Sequence, residues 1–61
     1  MWSVVDEETG LWAGMCPNHT LQLFGNPQLS MSSTDRLTAV RRALSLTFEF
    51  YPRVFKEKEY E

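Results

Sequence analysis

The chain predicts a small α+β fold: an antiparallel sheet, made of a β-hairpin and a third strand, packed against one long C-terminal helix. Three observations predict it. Apolar runs flank an acidic, glycine-ended turn at residues 6–10; a strong Gly25-Asn26-Pro27 turn follows a third short apolar run; and residues 34–51 carry a helical pattern.

Trp2-Ser3-Val4-Val5 and Leu11-Trp12-Ala13-Gly14-Met15 flank Asp6-Glu7-Glu8-Thr9-Gly10, which reads as a hairpin with a four- or five-residue loop. Trp2 and Val4 share one face, as do Leu11, Ala13 and Met15. The face of Trp12 stays open, because a one-residue change of register moves it to the other side. Pro17 and Asn18 break the second strand, and Thr20-Leu21-Gln22-Leu23-Phe24 alternates as a third. Residues 28–31 read either as a short edge strand or as an extended lead into the helix.

Hydroxyls at Ser32, Ser33 and Thr34 and the acid Asp35 supply helix-start chemistry, placing the start near Ser33. At 100° per residue Ala39, Phe50, Ala43, Val40, Tyr51, Leu44, Leu37 and Phe48 fill an arc of roughly 180°, which Leu46 widens. That is more apolar surface than one small sheet needs. Arg36 and Thr47 interrupt the apolar side. Leu44 falls near the middle of the arc and is expected in the core, while Phe50 falls toward its edge and is expected at a partner. Residues 46–51 also alternate in strand fashion, so a final strand over residues 46–55 competes with a helix to Tyr51; the helix is preferred because no turn residue intervenes before Pro52. Residues 1–55 are read as one small domain and residues 56–61 (KEKEYE) as a solvated, frayed tail.

A chain of 61 residues beginning with Met reads as one complete small domain, which buries only about 60% of the surface its unfolded form exposes. One cysteine, Cys16, excludes an internal disulfide, so self-association or a partner is the natural supplement. The net charge of −2 and the alternation of Lys56 and Lys58 with Glu57, Glu59 and Glu61 do not favour nucleic acid as a ligand. No apolar run has membrane-spanning length and no secretory leader is visible, so no membrane association is expected and the cytoplasm is the default location.

Chemical motifs are sparse. Cys16 and His19 have the spacing of half a zinc site, but the chain holds no other Cys or His to complete four ligands, and no metal or cofactor is expected. Asn18-His19-Thr20 matches a glycosylation sequon without a leader to make it usable. Asp6, Glu7 and Glu8 are adjacent carboxylates at a hairpin tip, where no pocket raises a pKa for acid–base work, so docking on a basic partner is the better use. The aromatic cluster of Phe48, Phe50, Tyr51 and Phe55 is either ordinary core or an intermolecular surface. The candidate partner-binding residues are Trp12, Leu46, Phe50, Tyr51 and Phe55, with Asp6, Glu7 and Glu8.

The segment WSVVDEETGLWAGMCP resembles the opening hairpin of HicB-like antitoxin domains, in which a strand, an acidic glycine-ended turn and a second strand lead to a proline and later to an amphipathic helix. Residues 2–17 and 33–46 are the matching parts. The connection over residues 18–31 is longer than in that family, and Ser33-Thr34-Asp35 stands where the family has a glycine–acid–threonine helix start. The resemblance implies a dimer that blocks a toxin. Independently of it, the residues point to a non-enzymatic protein-interaction module, dimeric, that binds and modulates or inhibits another macromolecule; size alone places it beside accessory proteins of phages and mobile elements. A small nucleic-acid-binding regulator is the rival reading.

Overall fold

The computed structural model describes residues 1–15, 18 and 20–61. In chain order the elements are β1 (Trp2–Asp6), β2 (Trp12–Met15), β3 (Leu21–Phe24), a 3-10 turn at Pro27–Leu29, α1 (Arg36–Glu49) and β4 (Phe55–Glu59). The strands form one antiparallel sheet in the order β3-β2-β1-β4, and α1 packs against β4 and β1. The predicted α+β architecture of hairpin, third strand and helix is therefore present, but the helix is not its last element.

The frayed tail expected over residues 56–61 is corrected. Lys and Glu in alternation carry no core signal, so the segment reads as solvated from sequence. It becomes a strand because Phe55 is buried at its start and because every residue of β1 finds a partner in it, from Trp2 opposite Glu59 to Asp6 opposite Phe55. Tyr60 continues the pairing by exchanging backbone hydrogen bonds with Met1. The charged side chains suit an outer edge, where they discourage further strands from adding.

Strand β1 is central and is buried on both faces along Ser3, Val4, Val5 and Asp6. Val4 joins Ala13, Ala43, Leu46 and Phe55 in the core beneath the helix, with Leu21, Leu23, Met31 and Phe50 packed around them. Gly10 closes the hairpin turn at φ 76°, a conformation that a side chain disfavours. Trp12 pairs opposite Val5, away from the helix, which settles its face.

Beyond that one pair β1 and β2 separate, and the chain after the 3-10 turn fills the opening. Met31 donates its N–H to the Ala13 carbonyl on one side, and Ser33 exchanges two 2.7 Å hydrogen bonds with Trp2 on the other. The Ser3 hydroxyl, fully buried, meets the Ser30 hydroxyl and the Met31 carbonyl there. Residues 28–31 are thus neither a regular edge strand nor a plain lead, but part of a 3-10 turn and an inserted strap. Gly14 is required beneath it, since a Cβ there would sit 2.5 Å from the Phe24 ring and 3.2 Å from the Leu29 carbonyl.

The same strap moves the helix start. Ser33 is drawn into the bridge with Trp2, so the cap falls to Asp35, whose carboxylate accepts from the backbone N–H groups of Leu37 and Thr38 and from the Thr38 hydroxyl. The helix begins at Arg36 rather than near Ser33. It ends at Glu49, with Phe50 as cap and a cis Tyr51–Pro52 bond in the following turn, so residues 46–49 are helical and the strand alternative for residues 46–55 is overturned.

Burial inverts two expectations. The buried positions of α1 are Ala39, Ala43 and Leu46, at one end of the apolar arc, because two alanines let the helix lie close on the sheet. Leu44, expected in the core, is 67% exposed, and Phe50, expected at a partner, is half-buried with its ring edge-on to Phe55 at 6.5 Å. Arg36 and Thr47 are explained by β4. Arg36 pairs with Glu57 at 3.1 Å, and the Thr47 hydroxyl accepts from the Phe55 N–H at 2.8 Å while donating to its carbonyl.

Two outcomes follow for chemical denaturation. Leu46→Ala should lower the unfolding free energy by about 2–4 kcal/mol, whereas Leu44→Ala should change that of the isolated chain by no more than about 0.5 kcal/mol; equal losses would contradict the placement of the core. Arg53→Ala, which leaves the buried Asp6 carboxylate without its cation, should cost about 1–3 kcal/mol, the partial exposure of Arg53 tempering the loss. An unchanged midpoint would mean that water replaces the guanidinium without penalty.

Candidate protein-docking surface

Helix α1 has two apolar sides, and the sheet covers one. On the other, Leu37, Leu44, Phe48 and Tyr51 are 57%, 67%, 88% and 83% exposed. At 100° per residue Leu37, Leu44 and Phe48 fall within a stripe about 40° wide, well clear of the arc of Ala39, Ala43 and Leu46, and Tyr51 follows in the turn just past the helix. Large aromatic side chains in water on a regular element are the exception that asks for an explanation, since a single exposed leucine would not. Val54, 45% exposed, lies just past the helix end. The backbone beneath is held by the Asp35 cap at one end and the Phe50 cap at the other, so the stripe sits on a rigid element.

The acidic turn reaches the same end of the molecule. Glu7 donates its backbone N–H to the Val54 carbonyl at 3.0 Å and its carboxylate meets Lys56 at 3.3 Å. Glu8 is exposed beside it. Asp6 is not available to a partner. It is fully buried, accepting from the Glu8 N–H at 2.9 Å and from Arg53 at 2.7 Å.

Of the residues expected at a partner, then, the structure leaves Tyr51, Glu7 and Glu8 at the surface. Leu46 and Phe55 are core, which corrects their placement at an interface, and Phe50 is largely taken up by Phe55. Trp12 is half-buried and already engaged, with Tyr60 edge-on at 5.3 Å and the Lys58 ammonium 5.5 Å from its ring. Leu37, Leu44 and Phe48 are exposed in their place. Their signal was in the sequence as the spacing 7, 4 and then 3 to Tyr51, a seam of its own inside the wide arc.

Other chemistry finds little support among the described residues. No buried side-chain nitrogen or oxygen lacks a hydrogen-bond partner, so no polar group is aimed, unpaired, into the interior. An open depression of about 420 Å³ is lined by Val5, Asp6, Glu7, Gly10, Lys56, Glu57 and Lys58, but its carboxylates and ammonium groups largely pair with one another or with Arg36 and Arg53. Among the described residues no group of three or more His, Cys, Asp or Glu side chains could hold a metal ion. Cys16 and His19, the half zinc site, lie outside the described residues, as does the middle of the sequon at residues 18–20. Five of the six basic residues are engaged within the chain: Arg36 with Glu57, Arg53 with Asp6, Lys56 with Glu7, Lys58 over Trp12, and Arg42 with the Met31 and Ser32 carbonyls; Arg41 is exposed on α1. No helix is long and apolar enough to cross a membrane.

The chain matches no protein-family model, no curated protein and no solved structure, so the HicB-like likeness of its first hairpin gains no support from comparison.

The carboxyls that anchor α1 titrate low. Hydrogen bonds from the Thr38 hydroxyl and from the Thr38 and Leu37 backbone hold Asp35 below its ordinary value, and hydrogen bonds from its own backbone and from Arg36 do the same for Glu57. A carboxyl depressed in the folded state stabilises above its unfolded pKa and loses that contribution as pH falls through the folded one. Helix stability should accordingly hold near neutrality and decline only below about pH 4. Asp35→Asn, which keeps an accepting oxygen, should retain most of the thermal midpoint and soften the acid decline, whereas Asp35→Ala should lower the midpoint at all pH values; thermal melts that show the two variants alike would remove the cap as the cause.

Proposed function

We propose that this chain is a non-enzymatic, dimeric protein-interaction module in which the outer face of α1 is a protein–protein contact, and that by binding it modulates or inhibits another macromolecule. One observation carries the reading: Phe48, with Leu44 and Leu37 along the same side of a capped helix and Tyr51 in the turn just past it, stands almost fully in water while the opposite side of the helix supplies the core. Aromatic and leucine anchors of this kind dominate the energy of protein interfaces once they are enclosed. Glu7 and Glu8, at the C-terminal end of the same helix, add a negative rim that speeds the approach of a basic surface without adding much affinity. The rival nucleic-acid reading is less favoured, because the cations are dispersed and all but Arg41 are committed to contacts within the chain.

A photo-cross-linking residue at position 48, introduced in the organism that encodes the chain, tests this. Irradiation should give an adduct with protein that disappears when Leu44→Glu is added, while the same group at Gln28, exposed in the 3-10 turn and away from both the stripe and the acidic turn, gives none. Adducts with nucleic acid would favour the rival reading. The absence of any adduct at position 48 would remove the proposal.

A further inference from the structure

We infer that the outer face of α1 is covered by a second copy of this chain, in an antiparallel helix pair whose two-fold axis passes beside Leu44. The inference rests on that face being a docking surface and names its occupant.

The first support is the symmetry of the stripe. Leu37 and Tyr51 lie equally far along the chain on either side of Leu44. A two-fold axis at Leu44 therefore sets Leu37 of each copy against the partner's Tyr51, and Leu44 against the partner's Leu44. An isologous contact needs a patch that complements itself in this way. At 1.5 Å per residue the helical part of the seam, Leu37 to Phe48, is about 17 Å long, and Tyr51 extends it from the turn just past Glu49, enough for a helix pair with several layers of contact.

The second support lies on one flank. Arg41 and Phe48 project to the same side of the stripe, Arg41 exposed and without a hydrogen-bonded acceptor, unlike Arg36 and Arg42. Rotation about an axis that runs across the helices keeps that side common to both copies. Each Arg41 guanidinium then comes level with the partner's Phe48 ring, an arrangement in which a cation over an aromatic face is favourable. The chain already uses the same pairing internally, with Arg36 over Trp2 and Lys58 over Trp12.

The third support is area. Taking the exposed fractions of Leu37, Leu44, Phe48 and Tyr51 with ordinary side-chain areas, the stripe offers about 600 Å² per copy. Two copies would bury on the order of 1,200 Å², at the lower end of specific interfaces and above the size of most adventitious contacts. In such a pair the acidic turns, each at the C-terminal end of its helix, fall at opposite ends and stay free for a basic partner.

Sedimentation equilibrium of the purified chain from about 1 to 500 μM should show mass rising from 7.1 kDa toward twice that value with concentration. Leu44→Glu, which places two carboxylates at the axis, should weaken association by roughly tenfold or more with an unchanged circular dichroism spectrum. In a Cys16→Ser background, Leu44→Cys should form a disulfide with its own copy under mild oxidation, whereas Leu37→Cys should cross-link efficiently only when mixed with Tyr51→Cys. A wild-type chain that stays monomeric throughout, a dimer indifferent to Leu44→Glu, or efficient pairing of Leu37→Cys with itself would overturn the inference. A monomer that still gives position-48 adducts with a different protein would overturn the second copy and leave the docking surface standing. The absence of both would remove the surface itself.

Discussion

The Asp6 carboxylate is the joint on which this small fold turns. It sits at the end of the central strand, out of contact with solvent, and accepts from Glu8 in its own turn and from Arg53 in the segment that follows the helix. A carboxylate without water is costly unless its lone pairs are filled, and here they are filled by groups from two distant parts of the chain. The hairpin turn is thereby bound to the stretch through which the backbone leaves α1 and enters β4. With Thr47 holding Phe55 a little further on, the path of the last strand is determined at its first residue, and with it the side of the helix that meets the sheet.

That choice of side explains the surface. Ala39 and Ala43 present little bulk, so α1 can lie close on Val4 and Ala13, with Leu46 filling the remaining depth. A close approach by small residues uses a narrow sector of the helix. Leu37, Leu44 and Phe48 fall outside it, on the side that turns toward solvent, and none of the described residues folds back over them. The polar positions that break the apolar arc, Arg36 and Thr47, mark the border between the two sectors, because both are used by β4.

Much of the fold was legible. The acidic turn, the alternation around it and the apolar run before Gly25 identify three strands with nearly correct limits, and the density of apolar residues after Asp35 identifies the helix. The fourth strand was not legible, because Phe-Lys-Glu-Lys-Glu has one core residue and its pairing is decided by β1, some fifty residues away. The strap at residues 30–33 was equally hidden: serines bonded into a gap between strands leave no periodic trace. Within the helix, the width of the apolar arc could be read but not which end the sheet would take. The arithmetic of side-chain angle is blind to bulk, and bulk decided it. Leu44 falls outside the sector that the two alanines open, whereas Phe50 falls within it and packs on Phe55.

The pairing of β1 with β4 also orders events in time. The N-terminal amine donates to the Tyr60 carbonyl across a separation of 59 positions, and every residue of the first strand has its outer partner in the last one. During synthesis the first strand leaves the ribosome long before the strand that shields its flank, and the hairpin must wait as an exposed, half-made sheet. The chain cannot acquire its structure piecemeal from the front. It closes only when residues 55–60 are delivered, so a chain interrupted before them has an open β1 edge and a core without Phe55.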